Sequence, residues 1–335
     1  MTTRKLTTAQ AINEALHIAL ESDPDVIVMG EDVAGGGRRE GDELEEMGGI
    51  VGVTRGLVKH FPDRVLDTPI SEMGLLGTAV GAALTGLRPV AELMFMDFLG
   101  VALDPLLNQA AKHRYMFGGK ARVPLTVRTF CGAGMQAAAQ HSQALYWMTA
   151  GIPGLKTVIP SNAADAKGLL LAAIRCDDPV VFCEPKAIIM APAEVPEGDF
   201  ELPLGKAARV REGRDVSLVA LGATVAVARE AAERLAGEGV EAEVLDLRSL
   251  TPLDEEAILA TLERTGALVV VDEATPRCGI ASDVAALCAE RGFDLMRTPV
   301  RRVTAPFTPV PFSQTLERAY MPSAERVVDA VLELG

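Results

Sequence analysis

The run Val65-Leu-Asp67-Thr-Pro-Ile-Ser-Glu72-Met-Gly-Leu-Leu-Gly-Thr-Ala-Val-Gly-Ala-Ala-Leu-Thr-Gly86-Leu-Arg-Pro-Val90-Ala-Glu-Leu-Met-Phe95 decides the fold. Two short apolar runs flank a stretch with apolar residues at helical spacing, which predicts a strand, a helix over 72–86 and a strand over 90–95. The pattern continues as a helix over 99–115 and a strand over 125–129. Strands that alternate with helices predict a parallel sheet with helices on its faces, since each parallel pair needs a long crossover.

The same alternation extends in both directions. Upstream, Ala11, Ile12, Ala15, Leu16, Ile18 and Ala19 predict a helix over 8–22, stopped at Asp23-Pro24, followed by a strand at 26–29. The glycine-rich, acidic stretch 35–52 reads as a loop that orders late or on a partner. Downstream come a helix over 137–148, a strand at 156–159, a helix over 163–174 and a strand at 180–183. Three prolines between Ala191 and Pro203 mark a linker, placed at 191–205 between domains at 1–190 and 206–335. The strand–helix pattern then restarts, with strands at 216–221, 242–247 and 268–272 and helices at 224–237, 254–264 and 279–291. The expected class is α/β with two parallel-sheet domains, and ligands should gather at the loops after the strands.

The 335 residues suit two domains, and 49% hydrophobic with 23% charged residues gives each an ordered core. Lys and Arg number 32 against 46 acids, a net charge of −14 that disfavours nucleic acid and anionic membranes as partners. The five cysteines are odd in number and form no C-x-x-C pair, which fits reduced thiols rather than a disulfide framework or a zinc site. No apolar signal core follows Met1, and the apolar stretch 73–87 is too short and too glycine-rich to cross a bilayer. A soluble cytoplasmic protein is expected.

Gly132-Ala-Gly-Met-Gln-Ala137 follows a predicted strand and resembles a dinucleotide fingerprint. No acid occurs from Pro105 to Ala164, so the ribose-binding carboxylate of that fingerprint is missing and a tight packed turn is favoured. The acid-free stretch carries Lys112, Arg114, Lys120, Arg122, Arg128 and Lys156. It reads equally as an anion-focusing island or as a packed subunit interface. His141, between Gln140 and Gln143 in a run of small residues, is either a hydrogen-bonded structural group or an acid–base. Glu72 opens a helix that Ser71 or Asp67 could cap. Gly74, Gly77, Gly81 and Gly86 weaken that helix, which makes sense if another backbone or a rigid ligand lies against it. A carboxylate beside such a face is suited to proton transfer.

Taken together, these segments resemble the beta subunits of thiamine-diphosphate-dependent 2-oxo acid dehydrogenases, and within them most of all acetoin dehydrogenase beta chains. The similarity is carried by Gly30-Glu31-Asp32-Val33, Asp67-Thr-Pro-Ile-Ser-Glu72-Met-Gly, Gly86-Leu-Arg-Pro-Val-Ala-Glu92, Ala138-Ala-Gln-His141-Ser-Gln and Pro153-Gly-Leu-Lys. It continues through Asp165-Ala-Lys-Gly, Glu243-Val-Leu-Asp-Leu-Arg, Thr251-Pro-Leu-Asp, Asp272-Glu-Ala and Pro309-Val-Pro-Phe, so it runs the length of the chain. The resemblance implies a pyrimidine-binding domain followed by a transketolase C-terminal-like domain. It implies that Glu72 hydrogen-bonds N1′ of the aminopyrimidine, that Glu31 pairs with Glu72 through a shared proton or water, and that Met94 and Phe98 line the pyrimidine. His141 would lie over the reacting carbon. The family's magnesium and diphosphate motif is missing, which implies that an alpha subunit supplies it in a heterotetramer of two alpha and two beta chains. A lipoyl-bearing acyltransferase is the further partner implied. A potassium ion held mostly by backbone carbonyls would fall at Leu125, Ala173, Ile174, Cys176 and Asp178, with Cys176 where relatives often carry Asp.

Overall fold

The computed structural model describes residues 2–35 and 48–334. Most of the loop expected over 35–52 lies outside these residues. The chain forms two compact units: one takes 1–130, 148–184 and 188–204, and the other takes 131–147, 185–187 and 205–335.

The first unit opens with β1 (Thr3–Thr7), α1 (Thr8–Ser22) and β2 (Val26–Gly30). The start of α1 is set by a capping box, in which the Thr7 hydroxyl accepts from the Gln10 amide and the Gln10 side chain accepts from the Thr7 amide. There follow α2 (Leu57–His60), β3 (Val65–Asp67), α3 (Glu72–Leu84) and β4 (Arg88–Phe95). One helical rod then runs as α4 (Leu99–Asp104), a π-type turn over Pro105–Ala110 and α5 (Ala111–Met116). After β5 (Thr126–Cys131) come α6 (Tyr146–Ala150), β6 (Lys156–Val158), α7 (Ala163–Arg175), β7 (Val180–Pro185) and β8 (Pro192–Pro196).

The first unit's sheet has the order β6-β7-β5-β4-β2-β3. β2 lies parallel to β3 and β4, β4 to β5, and β6 to β7. Helices α1 and α7 pack together against it, burying Ile12, Leu16, Leu20, Leu169 and Leu170 with Val28, Val90 and Phe182. Burying a side chain of this kind stabilises by about 1.5–3 kcal/mol.

The expected linker is instead built into this unit. Strand β8 pairs antiparallel with β1, from Thr3 against Pro196 to Thr7 against Pro192, and the Leu202 amide donates to Gly168 O at 3.1 Å. Two of the three prolines that suggested a linker, Pro192 and Pro196, stand at the two ends of β8, where a missing N–H is tolerated in a two-stranded edge. Gly168 is required there, since a Cβ would come within 2.7 Å of the Phe200 ring.

The second unit contains β9 (Ala208–Arg211), β10 (Val216–Ala220), α8 (Thr224–Gly237), β11 (Ala242–Asp246), β12 (Ser249–Thr251), α9 (Glu255–Thr265), β13 (Leu268–Asp272) and α10 (Ile280–Arg291). It ends with β14 (Arg301–Thr304), α11 (Gln314–Tyr320) and α12 (Ala324–Leu332). The sheet order is β14-β13-β10-β11-β9, parallel except for the edge strand β9. Every residue of β10, β11 and β13 is buried, as expected for strands covered on both faces. The five cysteines are unpaired thiols, and among the described residues no helix is long and apolar enough to cross a membrane.

Candidate functional site

In the first unit three acids come together around the carboxyl end of β2. Glu31 follows β2, Glu72 begins α3 just beyond β3, and Glu92 lies in β4 directly opposite Gly30. A Cβ on Gly30 would stand 2.9 Å from the Glu92 Cβ, so only glycine allows the two strands this side-chain placement. The loops after β2 and β3 are tied by Thr68 N–H to Gly30 O at 2.8 Å and by Ala34 N–H to Asp67 Oδ1 at 2.6 Å. Asp67 therefore braces this loop rather than capping α3, and Ser71 makes no side-chain cap either. Partial burial, reinforced by the negative charges of Asp32, Glu72 and Glu92, pushes the Glu31 carboxyl above its ordinary range. These are the settings in which a carboxyl holds a proton and passes it on.

Glu72 is half-buried and is flanked by the exposed apolar side chains of Ile70 and Met73. Helix α3 buries Leu75, Leu76, Ala79, Val80 and Ala83, while no atom of the described residues lies within 4 Å of a Cβ added at Gly77 or Gly81. Among the described residues the glycine face is thus bare. Met94 is buried, and the half-buried ring of Phe98 stands edge-to-face with Phe95 at 5.8 Å between centroids. Behind the acids, Arg128 is enclosed between Glu92 at 2.6 Å and Glu184 at 2.7 Å. Burial, with the charge of Glu92, pushes the Glu184 carboxyl up to about 7, against the pull of Arg128.

His141 belongs to the other unit. It is half-buried on the strap 131–147, most of which is not the helix expected over 137–148. Gln136 and Ala138 have φ of 53° and 60°, in the left-handed region where a helix cannot continue, and only α6 survives at its end. The amides of Gly134 and Gln136 point at the Glu317 carboxylate, 2.9 and 3.1 Å away, and the Ala133 amide donates to Glu273. Protein carboxylates therefore occupy the donors that a dinucleotide phosphate would need. Burial pushes the Glu273 carboxyl up to about 7, although the Ala133 amide opposes this. Lys186 donates to the backbone carbonyl of His141 and to Ser142 Oγ, and the Tyr146 hydroxyl donates to Asp272. Beside the strap is a cavity of about 310 Å³ lined by Ala139, Gln143, Trp147, Ala274, Phe307 and Tyr320 among others. Sequence reasoning assigned no role to Lys186 or Glu317, which belong to no motif, and met Glu273 only inside the run Asp272-Glu-Ala.

The basic island is largely neutralised from within. Arg114 pairs with Asp178, Arg122 with Asp177 and Arg128 with its two glutamates, and Lys112 donates to Pro153 O. Lys156 Nζ lies 2.6 Å from Asp178 Oδ2 and 3.4 Å from Cys176 Sγ. The groups expected to hold potassium are engaged in the same way. Arg88 donates to the carbonyls of Ile174 and Cys176 at 3.2 Å each, the Cys176 amide to Ala173 O, and the Val180 amide to Leu125 O. Arg88 thus supplies positive charge at the carbonyls of Ile174 and Cys176, and Lys156 and Arg114 supply it at the Asp178 carboxylate, while the Leu125 and Ala173 carbonyls accept backbone amides. Among the described residues no group of three or more His, Cys, Asp or Glu forms a metal centre.

Residues 4–191 match the family described as transketolase, pyrimidine binding domain, and residues 205–327 match transketolase, C-terminal domain. The chain is 57% identical over 333 residues to the acetoin:2,6-dichlorophenolindophenol oxidoreductase subunit beta of Bacillus subtilis, covering 99% of this chain and 97% of that one. It is 41% identical to the pyruvate dehydrogenase E1 component subunit beta of the same bacterium, over 97% of each. A solved split-gene transketolase, an inactive beta4 tetramer, superposes with a TM-score of 0.78 at 25% identity over 98% of both chains. With both domains matched in order and near-full-length identity to such subunits, the chain belongs to the beta-subunit family of thiamine-diphosphate-dependent acetoin and 2-oxo acid dehydrogenases, an α/β oxidoreductase family with transketolase-type pyrimidine-binding and C-terminal domains.

Proposed function

We propose that this chain is the beta subunit of the first component of an acetoin dehydrogenase complex, which cleaves acetoin and passes the two-carbon unit to a lipoyl group. The observation that carries the chemistry is the cluster of Glu31, Glu72 and Glu92 around the end of β2, in which a carboxyl is held ready to keep a proton. The preference for acetoin over pyruvate rests on the identity of 57% against 41% to two subunits of one bacterium.

Thiamine diphosphate, when bound, supplies a nucleophilic carbon and then an electron sink for the bond that breaks. The residues fit its pyrimidine ring. Glu72 offers a carboxyl beside apolar side chains, Met94 a thioether and Phe98 a ring face. In this reading Glu72 exchanges a proton with ring N1′, and Glu31 keeps that carboxyl poised by sharing a proton or a water with it. Met94 and Phe98 hold the ring and exclude water. His141 gives and takes the proton at the substrate oxygen. Magnesium and the diphosphate fall to an alpha subunit, in a heterotetramer of two alpha and two beta chains located in the cytoplasm. A lipoyl-bearing acyltransferase is the downstream partner. No step is assigned to potassium.

The test is made on the complex with a candidate alpha subunit, by following thiamine-diphosphate-dependent reduction of 2,6-dichlorophenolindophenol with acetoin, pyruvate and 3-methyl-2-oxobutanoate. Acetoin is expected to be preferred; preference for a 2-oxo acid would move the chain to the pyruvate or branched-chain enzymes. Glu72→Ala is expected to lower kcat by roughly 10²–10⁴-fold with the complex still assembled. Turnover at the level of the unmodified protein would sink the proposal.

A further inference from the structure

We infer that Glu317 and Glu273 are positioning residues, which set the place of His141 by gripping the backbone of the strap that carries it. This rests on the reading of His141 as an acid–base group. The strap from 131 to 147 has little regular structure of its own, since left-handed residues at Gly132, Gly134, Gln136 and Ala138 interrupt it. A segment of this kind has many conformations of similar energy, and its ordering must come from contacts outside it.

Those contacts are supplied by buried groups of the second unit. Glu317 is only 4% exposed, and its carboxylate receives the Gly134 and Gln136 amides, which converge as an anion-binding nest does. Glu273, 6% exposed, receives the Ala133 amide one residue earlier. The fit is tight: a Cβ on Gly132 would lie 2.6 Å from both Glu273 carboxylate oxygens, and one on Gly134 would lie 2.8 Å from the Ala187 Cβ. On the far side of the grip, Lys186 holds the His141 carbonyl and Asp272 holds Tyr146. His141 thus lies between two anchored points, five residues after Gln136 and five before Tyr146. The acids come from the segments after β13 and within α11, which gives the C-terminal domain a part in placing the histidine.

The experiment compares Glu317→Ala, Glu317→Gln and His141→Ala in the assembled alpha–beta enzyme. Three readouts are taken: kcat, the thiamine diphosphate concentration for half activation, and amide hydrogen exchange over 133–143. Glu317→Ala is expected to lower kcat roughly 10- to 100-fold by displacing the histidine. It should speed exchange in the strap and leave cofactor half-activation within about twofold. Glu317→Gln keeps an acceptor oxygen and should recover most of both losses. Unchanged exchange in Glu317→Ala overturns the grip, whatever the rates show. Faster exchange with undiminished kcat overturns the positioning role, as does a loss of kcat that tracks weaker cofactor activation. If Glu317→Ala does not assemble, Glu317→Asp shortens the acceptor and is read by the same criteria. Undiminished turnover in His141→Ala would remove the acid–base reading while leaving the exchange result to judge the grip alone.

Discussion

Two arginines of the first unit sit in nearly identical ionic settings and differ only in their surroundings. Arg128 bridges Glu92 and Glu184 at 2.6 and 2.7 Å, and Arg175 bridges Asp199 and Glu201 at 2.6 and 2.7 Å. The Arg128 set is almost wholly enclosed, whereas the side chains around Arg175 are 32–48% exposed. Distance alone therefore says nothing about how much either arrangement matters. In the buried set each ion has given up its water and depends on the others, while at the surface solvent replaces any partner that is lost.

The comparison breaks most visibly at Arg128. Arg128→Met leaves two buried carboxylates facing each other, and a loss of about 3–5 kcal/mol is expected in urea unfolding of the purified complex. A loss below 1 kcal/mol would mean that the enclosed set is no different from the exposed one. The next effect is in pH dependence. The Glu184 carboxyl titrates at about 7 in the fold, above its ordinary value of 4.5, because burial outweighs the pull of Arg128. Between these values the folded chain keeps a proton that the unfolded chain has released, so this contribution is complete below pH 4.5 and is lost as the pH rises through 7. Glu184→Gln cannot ionise and is expected to flatten the fall in unfolding midpoint between pH 5 and 8; an unchanged slope would remove Glu184 as its source. The smallest effect is expected at the surface. Arg175→Met should change stability by at most about 1 kcal/mol, and by less as salt is raised.

Sequence reasoning worked where periodicity and chemistry coincide. Helix α1 with its Asp23-Pro24 stop, the strand–helix–strand run around Glu72 and the second α/β unit all follow from apolar spacing, because their buried faces are what the spacing records. Glu31 and Glu72 were legible as a pair only through family resemblance, and Glu92 beside them was not read as part of the site; that the first two meet beyond β2 and β3 follows from parallel topology. The failures share a different cause. Residues 137–145 are small and apolar enough for a helix, yet the carboxylates of Glu317 and Glu273, more than 120 residues away, claim the amides just before them. The proline-rich stretch after 191 looks like a spacer until it meets β1, its pairing partner at the other end of the unit. A long-range partner that overrides local preference leaves no local trace.

That pairing of β1 with β8 also bears on how the chain is made. Thr3 pairs with Pro196, so a strand made early in this unit waits for one made nearly 200 residues later. At about 5–20 residues per second on the ribosome, that wait is on the order of 10–40 seconds, during which an open strand edge is present beside the growing chain. The exposed, charged pair Arg4 and Lys5 in the middle of β1 suits such an interval, since charge on an open edge discourages pairing with a neighbouring nascent chain.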